Sequence, residues 1–173
     1  MTRTFVMFLA LAGLAALQAQ TDNPLSTEVK GSYTNVKNNI LKAADKVSEA
    51  DYAFKATADV RPFGQLVAHV ADANLRTCSA INGTAKQGTA STKTTKADLV
   101  AALKESFAEC DKAYDAMTDA NAAKMLSMGR MQRSTLGALW GTVVHDNEMY
   151  GTMSVYMRLK GLVPPSTEGR AAR

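Results

Sequence analysis

Four stretches of this chain carry apolar residues at steps of three and four, and that period fixes what it can fold into. Val29, Tyr33, Val36, Ile40, Ala44 and Val47 form the first stripe, and Phe63, Leu66, Val67, Val70 and Leu75 the second. Leu99, Leu103, Phe107, Cys110, Tyr114 and Met117 form the third, and a fourth helical pattern runs from about Ser134 to Leu159. A stripe at this spacing lies along one side of an α-helix and has to be buried against another element. Little of the sequence alternates at the period of a strand. A chain of 173 residues has room for one domain and one core. The pattern therefore predicts an all-α four-helix bundle over residues 24–165.

The punctuation between the stripes agrees. Pro24 and Ser26 sit where the first helix should begin, Ser26 as its N-cap. Residues 51–61 have no stripe and Pro62 follows them, so they read as a connection. Residues 83–95 are Gly, Thr, Ser, Lys, Gln and Ala without an apolar anchor, which predicts a flexible loop. Thr95 and Asp98 then resemble a capping box. A second irregular segment spans roughly 119–133. Gly161 and the Pro164–Pro165 pair stop the last helix, and residues 166–173 are expected to be a disordered tail. The single Trp140, beside Leu139 and Val143, reads as core.

The N-terminus has a different character. Arg3 precedes an uncharged apolar run from Phe5 to Leu17, and Ala19 ends it ahead of polar Gln20, Thr21 and Asp22. This is the layout of a signal peptide over residues 1–19, cleaved after Ala19 or Gln20. The run is shorter than the roughly 20 residues that cross a bilayer, so no stable membrane association is expected after cleavage. The expectation is an exported protein, periplasmic or secreted. In an oxidising compartment Cys78 and Cys110, the only two cysteines, read as a disulfide. Two reduced core cysteines are the alternative.

Charge narrows the partners. Lys and Arg number 20 against 16 Asp and Glu, a net charge of +4. The excess is scattered, with neither a basic run nor aromatics interleaved with basic residues, so no nucleic acid is expected. Apolar bundle faces leave homodimerisation open, and a small-molecule ligand is not identifiable.

Chemistry has few candidates. GxSxG, HExxH and Gly-rich phosphate loops do not occur. The two histidines are His69, on the flank of the second stripe, and His145, in mid-helix on the fourth. His145 shares a face with Gly141 and Met149, four residues either side. In a bundle, metal ligands come from facing helices, which makes the two histidines a candidate pair.

The stretch Phe63-Gly-Gln-Leu-Val-Ala-His69-Val-Ala-Asp72 resembles the second helix of the DinB-like (damage-inducible B) family. His145-Asp-Asn-Glu148-Met149-Tyr150-Gly151 and Tyr156-Met-Arg158-Leu-Lys-Gly-Leu-Val-Pro-Pro165 are similar to its fourth helix and stop. The resemblance implies a four-helix bundle, up-up-down-down, with a long crossover. It also implies a divalent metal of zinc or nickel type, held by one histidine of helix 2 and an HxxxH pair of helix 4. Relatives include thiol-dependent S-transferases and isomerases. That chemistry suits an exported chain poorly, because its thiol cofactors are cytoplasmic.

Carried onto this sequence, His69 and His145 match the first two ligands, and Met149 stands in the third position. A thioether is a poor ligand for zinc or nickel and suits copper(I) better. Three readings stand side by side: a site without metal and Met149 in the core; a weakened divalent site completed by Asp72 or Glu148; and a soft-metal site of His69, His145 and Met149. Asp72, Glu148, Tyr150 and Arg158 are candidates for supporting or substrate contacts, and no catalytic residue is assigned. The functional expectation is a metal-dependent enzyme of unknown substrate with an altered or vestigial site; the alternative is a non-catalytic binding or structural bundle.

Overall fold

In the computed structural model, which describes residues 23–169, each stripe becomes a helix: α1 (Pro24–Lys46), α2 (Phe63–Ile81), α3 (Lys96–Ala116) and α4 (Thr135–Leu159). The caps explain the boundaries. The hydroxyls of Thr95 and Ser134 accept hydrogen bonds from the N–H groups of Asp98 and Gly137, and so start α3 and α4. At α1, however, Asn23 is the N-cap residue, Pro24 opens the helix, and Ser26 lies within the first turn. Ser26 instead donates from its N–H (2.8 Å) and Oγ (2.9 Å) to the Asp119 carboxylate beyond α3. All six residues of the first stripe and all six of the third are buried.

α2 packs against α3 and α4, and α1 packs against α3 and α4, which makes a four-sided bundle. Contacts at the helix ends set the directions. The Asp119–Ser26 bonds put the end of α3 beside the start of α1, and Lys96 Nζ donates to the carbonyls of Asp45 and Val47 at the other end of that pair. Tyr156, near the end of α4, donates to the Arg61 carbonyl just ahead of α2. Lys46, at the end of α1, pairs with Glu168 beyond α4. The order is therefore up-down-down-up. This corrects the expected up-up-down-down arrangement while keeping the bundle and its crossover. The cause is local: Tyr52 donates to the Ala44 carbonyl and Phe63 N–H to that of Phe54, so the α1–α2 connection turns back at one end.

The crossover is the α2–α3 connection, and it is not loose. Asp72 accepts from the N–H groups of Ala90 (2.7 Å) and Ser91 (3.0 Å), where Ala90–Thr92 make a 3₁₀ turn and Ala90 is buried. Gly88 passes so close that a Cβ there would lie 2.7 Å from Asp72 Cα. Ala90 and Asp72 are the anchor that composition did not reveal.

Two further segments depart from the sequence reading. Residues 119–133 contain an antiparallel hairpin, β1 (Met125–Met128) and β2 (Met131–Ser134). Gly129, at φ +65°, turns it, a conformation glycine adopts at no steric cost. Residues 166–169 of the expected tail are held in place. Tyr150 donates to Ser166 Oγ (3.0 Å) and accepts from Ser166 N–H (2.8 Å), and Glu168 meets Lys46. Trp140 is not core: it is 48% exposed, on an outer face of α4 that also shows Val144, Val155 and Leu159. Residues 1–19, read as a signal peptide, lie outside the described residues, and no described helix is long and apolar enough to cross a membrane.

Cys78 of α2 and Cys110 of α3 form a disulfide across that seam. It lies among the buried residues of the core and closes a loop of 32 residues. On the chain-entropy estimate such a crosslink stabilises by about 3–4 kcal/mol.

Candidate functional site

α2 and α4 run antiparallel, and each brings one histidine to their shared seam. His69 Nε2 and His145 Nε2 stand 3.1 Å apart, so one ring donates a hydrogen bond to the other. The rings meet at 61° with centroids 5.0 Å apart. The sequence pairing of these two residues is therefore realised in space.

Behind His145 lies a buried polar group that composition alone does not point to. Asp146 is fully buried; its Oδ1 faces His145 Nδ1 at 3.4 Å, and its Oδ2 accepts from Asn74 Nδ2 at 3.0 Å. Burial drives the Asp146 pKa up, against the opposing pull of the His145 and Asn74 hydrogen bonds. Asn74 is itself buried, and its Oδ1 has no hydrogen-bond partner among the described residues. His69 is shifted the other way for a base. Burial lowers its pKa first, then the neighbouring His145, Arg61 and Arg76, with Asp72 opposing.

The other candidates separate from the pair. Met149 is partly buried and packs against the apolar core; it lines neither of the clefts that flank His69. The i,i+4 step from His145 leaves Met149 on the same broad face of α4, but the cleft beside the two histidines lies on the Gly141 side. Asp72 lines the second cleft beside His69, but its carboxylate is occupied by the Ala90 and Ser91 N–H groups. Glu148 is exposed. Tyr150 serves the C-terminal turn, and Arg158 stays at the end of α4, 3.5 Å from the Ser154 carbonyl. Arg158 there favours the helix dipole.

Those positions bear on a metal. Two imidazole nitrogens converge, and no group of three or more His, Cys, Asp or Glu able to hold an ion exists among the described residues. A divalent site held by three protein ligands does not fit this donor set. What the seam does offer is a cleft of ≈ 240 Å³ bounded by His69, His145, Asn74, Arg76, Arg133 and Thr142, among others. Sequence reasoning missed both arginines. Arg76 was within reach of it, since it lies seven residues, two turns, after His69 on the same face. Arg133 was not, because it arrives on a hairpin from outside the bundle.

Comparison with known proteins agrees with this fold. A DinB-like protein from Bacillus cereus ATCC 10987 superposes with a TM-score of 0.67 at 16% identity, over 80% of this chain and 95% of its own. No curated protein matches the sequence. The family model of the DinB superfamily matches residues 32–153. With that span covering most of the bundle, from α1 to the last turns of α4, the chain belongs to the DinB superfamily.

Proposed function

We propose that this chain is an exported DinB-superfamily protein that binds a small molecule at the α2–α4 seam without a resident divalent ion. The observation that carries this is the company His69 and His145 keep. They meet at 3.1 Å while Met149 sits against the core and Asp72 is committed to the crossover. The two rings then work as hydrogen-bonding groups at the wall of a cleft, and Asp146 positions His145 from behind. Export rests on the pattern of residues 1–19, and the Cys78–Cys110 disulfide suits an oxidising compartment.

Elemental analysis of the purified chain tests the metal half. The expected result is substoichiometric zinc, nickel and copper, with a melting temperature indifferent to chelator. Stoichiometric metal that disappears in His69→Ala and His145→Ala would sink the reading. Met149→His restores a third nitrogen four residues from His145, and divalent binding should then appear where the parent chain has none.

One observation favours a second reading. Adjacent nitrogens on a tetrahedral ion, each at about 2.0–2.1 Å, lie a little over 3 Å apart, close to the His69–His145 separation. A labile zinc- or nickel-type ion could then sit on the two imidazoles with its other positions filled from solution. Micromolar saturation by added zinc, abolished in either histidine variant, would select that alternative.

A further inference from the structure

The cleft at the α2–α4 seam has one sign of charge. Arg76 comes from α2 and Arg133 from β2; with His69 and His145 they give four basic side chains, and no carboxylate is among the lining residues. Asp146 touches His145 from the buried side and is not part of that lining.

Neither arginine is neutralised. Lys30, Lys37, Lys46, Lys86, Lys112 and Lys160 each reach a carboxylate, whereas Arg76 and Arg133 form no ion pair among the described residues. Six of the twelve lysines and none of the described arginines are paired in this way, and two of those unpaired guanidiniums line one cleft. Charge of one sign lining a concave wall focuses the field on whatever enters.

Arg133 also has a built seat. A Cβ at Gly141 would lie 2.9 Å from Arg133 Nη1 and 3.0 Å from Nη2. The guanidinium therefore lies against the α4 backbone where a side chain is missing, one turn before His145. Glycine is disfavoured at an interior helix position relative to alanine, and here the missing side chain is what admits the guanidinium.

A guanidinium presents a planar fork of donors that matches two oxygens of a carboxylate or phosphate. The cleft, at ≈ 240 Å³, is smaller than sites for drug-sized ligands. We propose that it binds a small oxyanion, a carboxylate or phosphate on a compact molecule, held by Arg76 and Arg133 beside the His69–His145 pair. This deepens the proposed function and rests on its reading of the seam as a metal-free ligand site.

Calorimetric titration of the purified chain with benzoate and with inorganic phosphate, in chelator-treated low-chloride buffer, tests it. Saturable one-to-one binding is expected, and whichever probe binds tighter tells carboxylate from phosphate. Arg76→Gln and Arg133→Gln should each weaken it about tenfold or more, the loss of a charge-assisted hydrogen bond. Gly141→Ala should weaken it without changing the charge, because the new methyl displaces the guanidinium; a melting temperature at or above the parent's guards against misfolding. Lys104→Gln, an exposed charge on α3, should leave binding as it was. No saturable binding to a chain that is metal-free would overturn the oxyanion assignment alone, and so would Lys104→Gln weakening binding as much as the arginine variants do. Binding that needs added zinc, survives both arginine variants and vanishes in His69→Ala would overturn the metal-free reading beneath it.

Discussion

Helix α2 meets α3 on one side and α4 on the other, and the two seams treat a buried carboxylate in opposite ways. At the α3 seam Glu109, with its side chain only 5% exposed, accepts from Asn82 Nδ2 (2.7 Å), Lys86 Nζ (2.9 Å) and Lys112 Nζ (3.2 Å). Those hydrogen bonds, Asn82's first, hold its pKa down at about 2. At the α4 seam Asp146 has Asn74 at 3.0 Å and a long contact to His145, and burial drives its pKa up. At Asp146 burial outweighs the donors, and at Glu109 the donors outweigh burial. The first seam is also crosslinked by Cys78–Cys110, whereas the second leaves Asn74 Oδ1 unpartnered and opens into a cleft. Stability is concentrated on one side of α2 and chemical opportunity on the other.

The largest test of that division is the disulfide. Cys78→Ala with Cys110→Ala, or reduction of the native chain, should cost about 3–4 kcal/mol. For a domain of this size that lowers the melting temperature by about 10 °C. Denaturation with and without reductant measures it, and the α4-side cleft should keep its ligand affinity below the new melting point. A loss of under about 1 kcal/mol would mean that the α2–α3 seam is not where stability resides.

Glu109 supplies the next effect. Its folded pKa of about 2 lies below the ordinary glutamate value of 4.5, so the unfolded chain binds the proton more readily. Its contribution is therefore complete above about pH 4.5 and is lost as pH falls toward 2. Screening of the exposed Lys86 and Lys112 leaves about 1–2 kcal/mol of it. Acid titration of stability should show that loss, and Glu109→Gln should remove it while lowering stability at pH 7.

The same contrast explains what could be read from the sequence. The stripes, the Thr95 cap, the Gly161 stop and the His69–His145 pairing follow from period and helix geometry, which are local or repeat regularly. The direction of α2 did not, because it depends on Tyr52 reaching the Ala44 carbonyl. Asp72 looked like a spare carboxylate until the crossover claimed it. Met149 entered the candidate site through the family resemblance, and its packing against the core is one of the readings the sequence left open. Trp140 looked like core because α4 is apolar nearly all round, so periodicity could not pick its buried side. Arg133 needed a hairpin that no alternating pattern announced.

Asp146→Asn turns the comparison round. The folded pKa of Asp146 is raised, so the folded chain binds the proton more tightly, and stability from this group falls as pH rises above the ordinary aspartate range. The amide removes that penalty, and the variant should be about 1 kcal/mol more stable than the parent at pH 8. Equal stability at pH 8 and an unchanged pH profile would mean that this carboxylate is satisfied as well as Glu109 is.

The smallest expected effect lies on the cleft itself. Burial, His145 and the arginines at positions 61 and 76 lower the His69 pKa, so below about pH 6.5 the unfolded chain takes up a proton that the folded chain resists. Its contribution is whole above that value and declines as pH falls through the depressed folded value. The seam that carries the ligand is thus the first to weaken on mild acidification, well before Glu109 titrates. Stability measured between pH 7.5 and 5 should decline in the parent and stay flatter in His69→Gln, and the decline should ease in Arg76→Gln, which removes one of the cations. A parent profile that is level across this range would place the His69 imidazole in an environment as accommodating to charge as water.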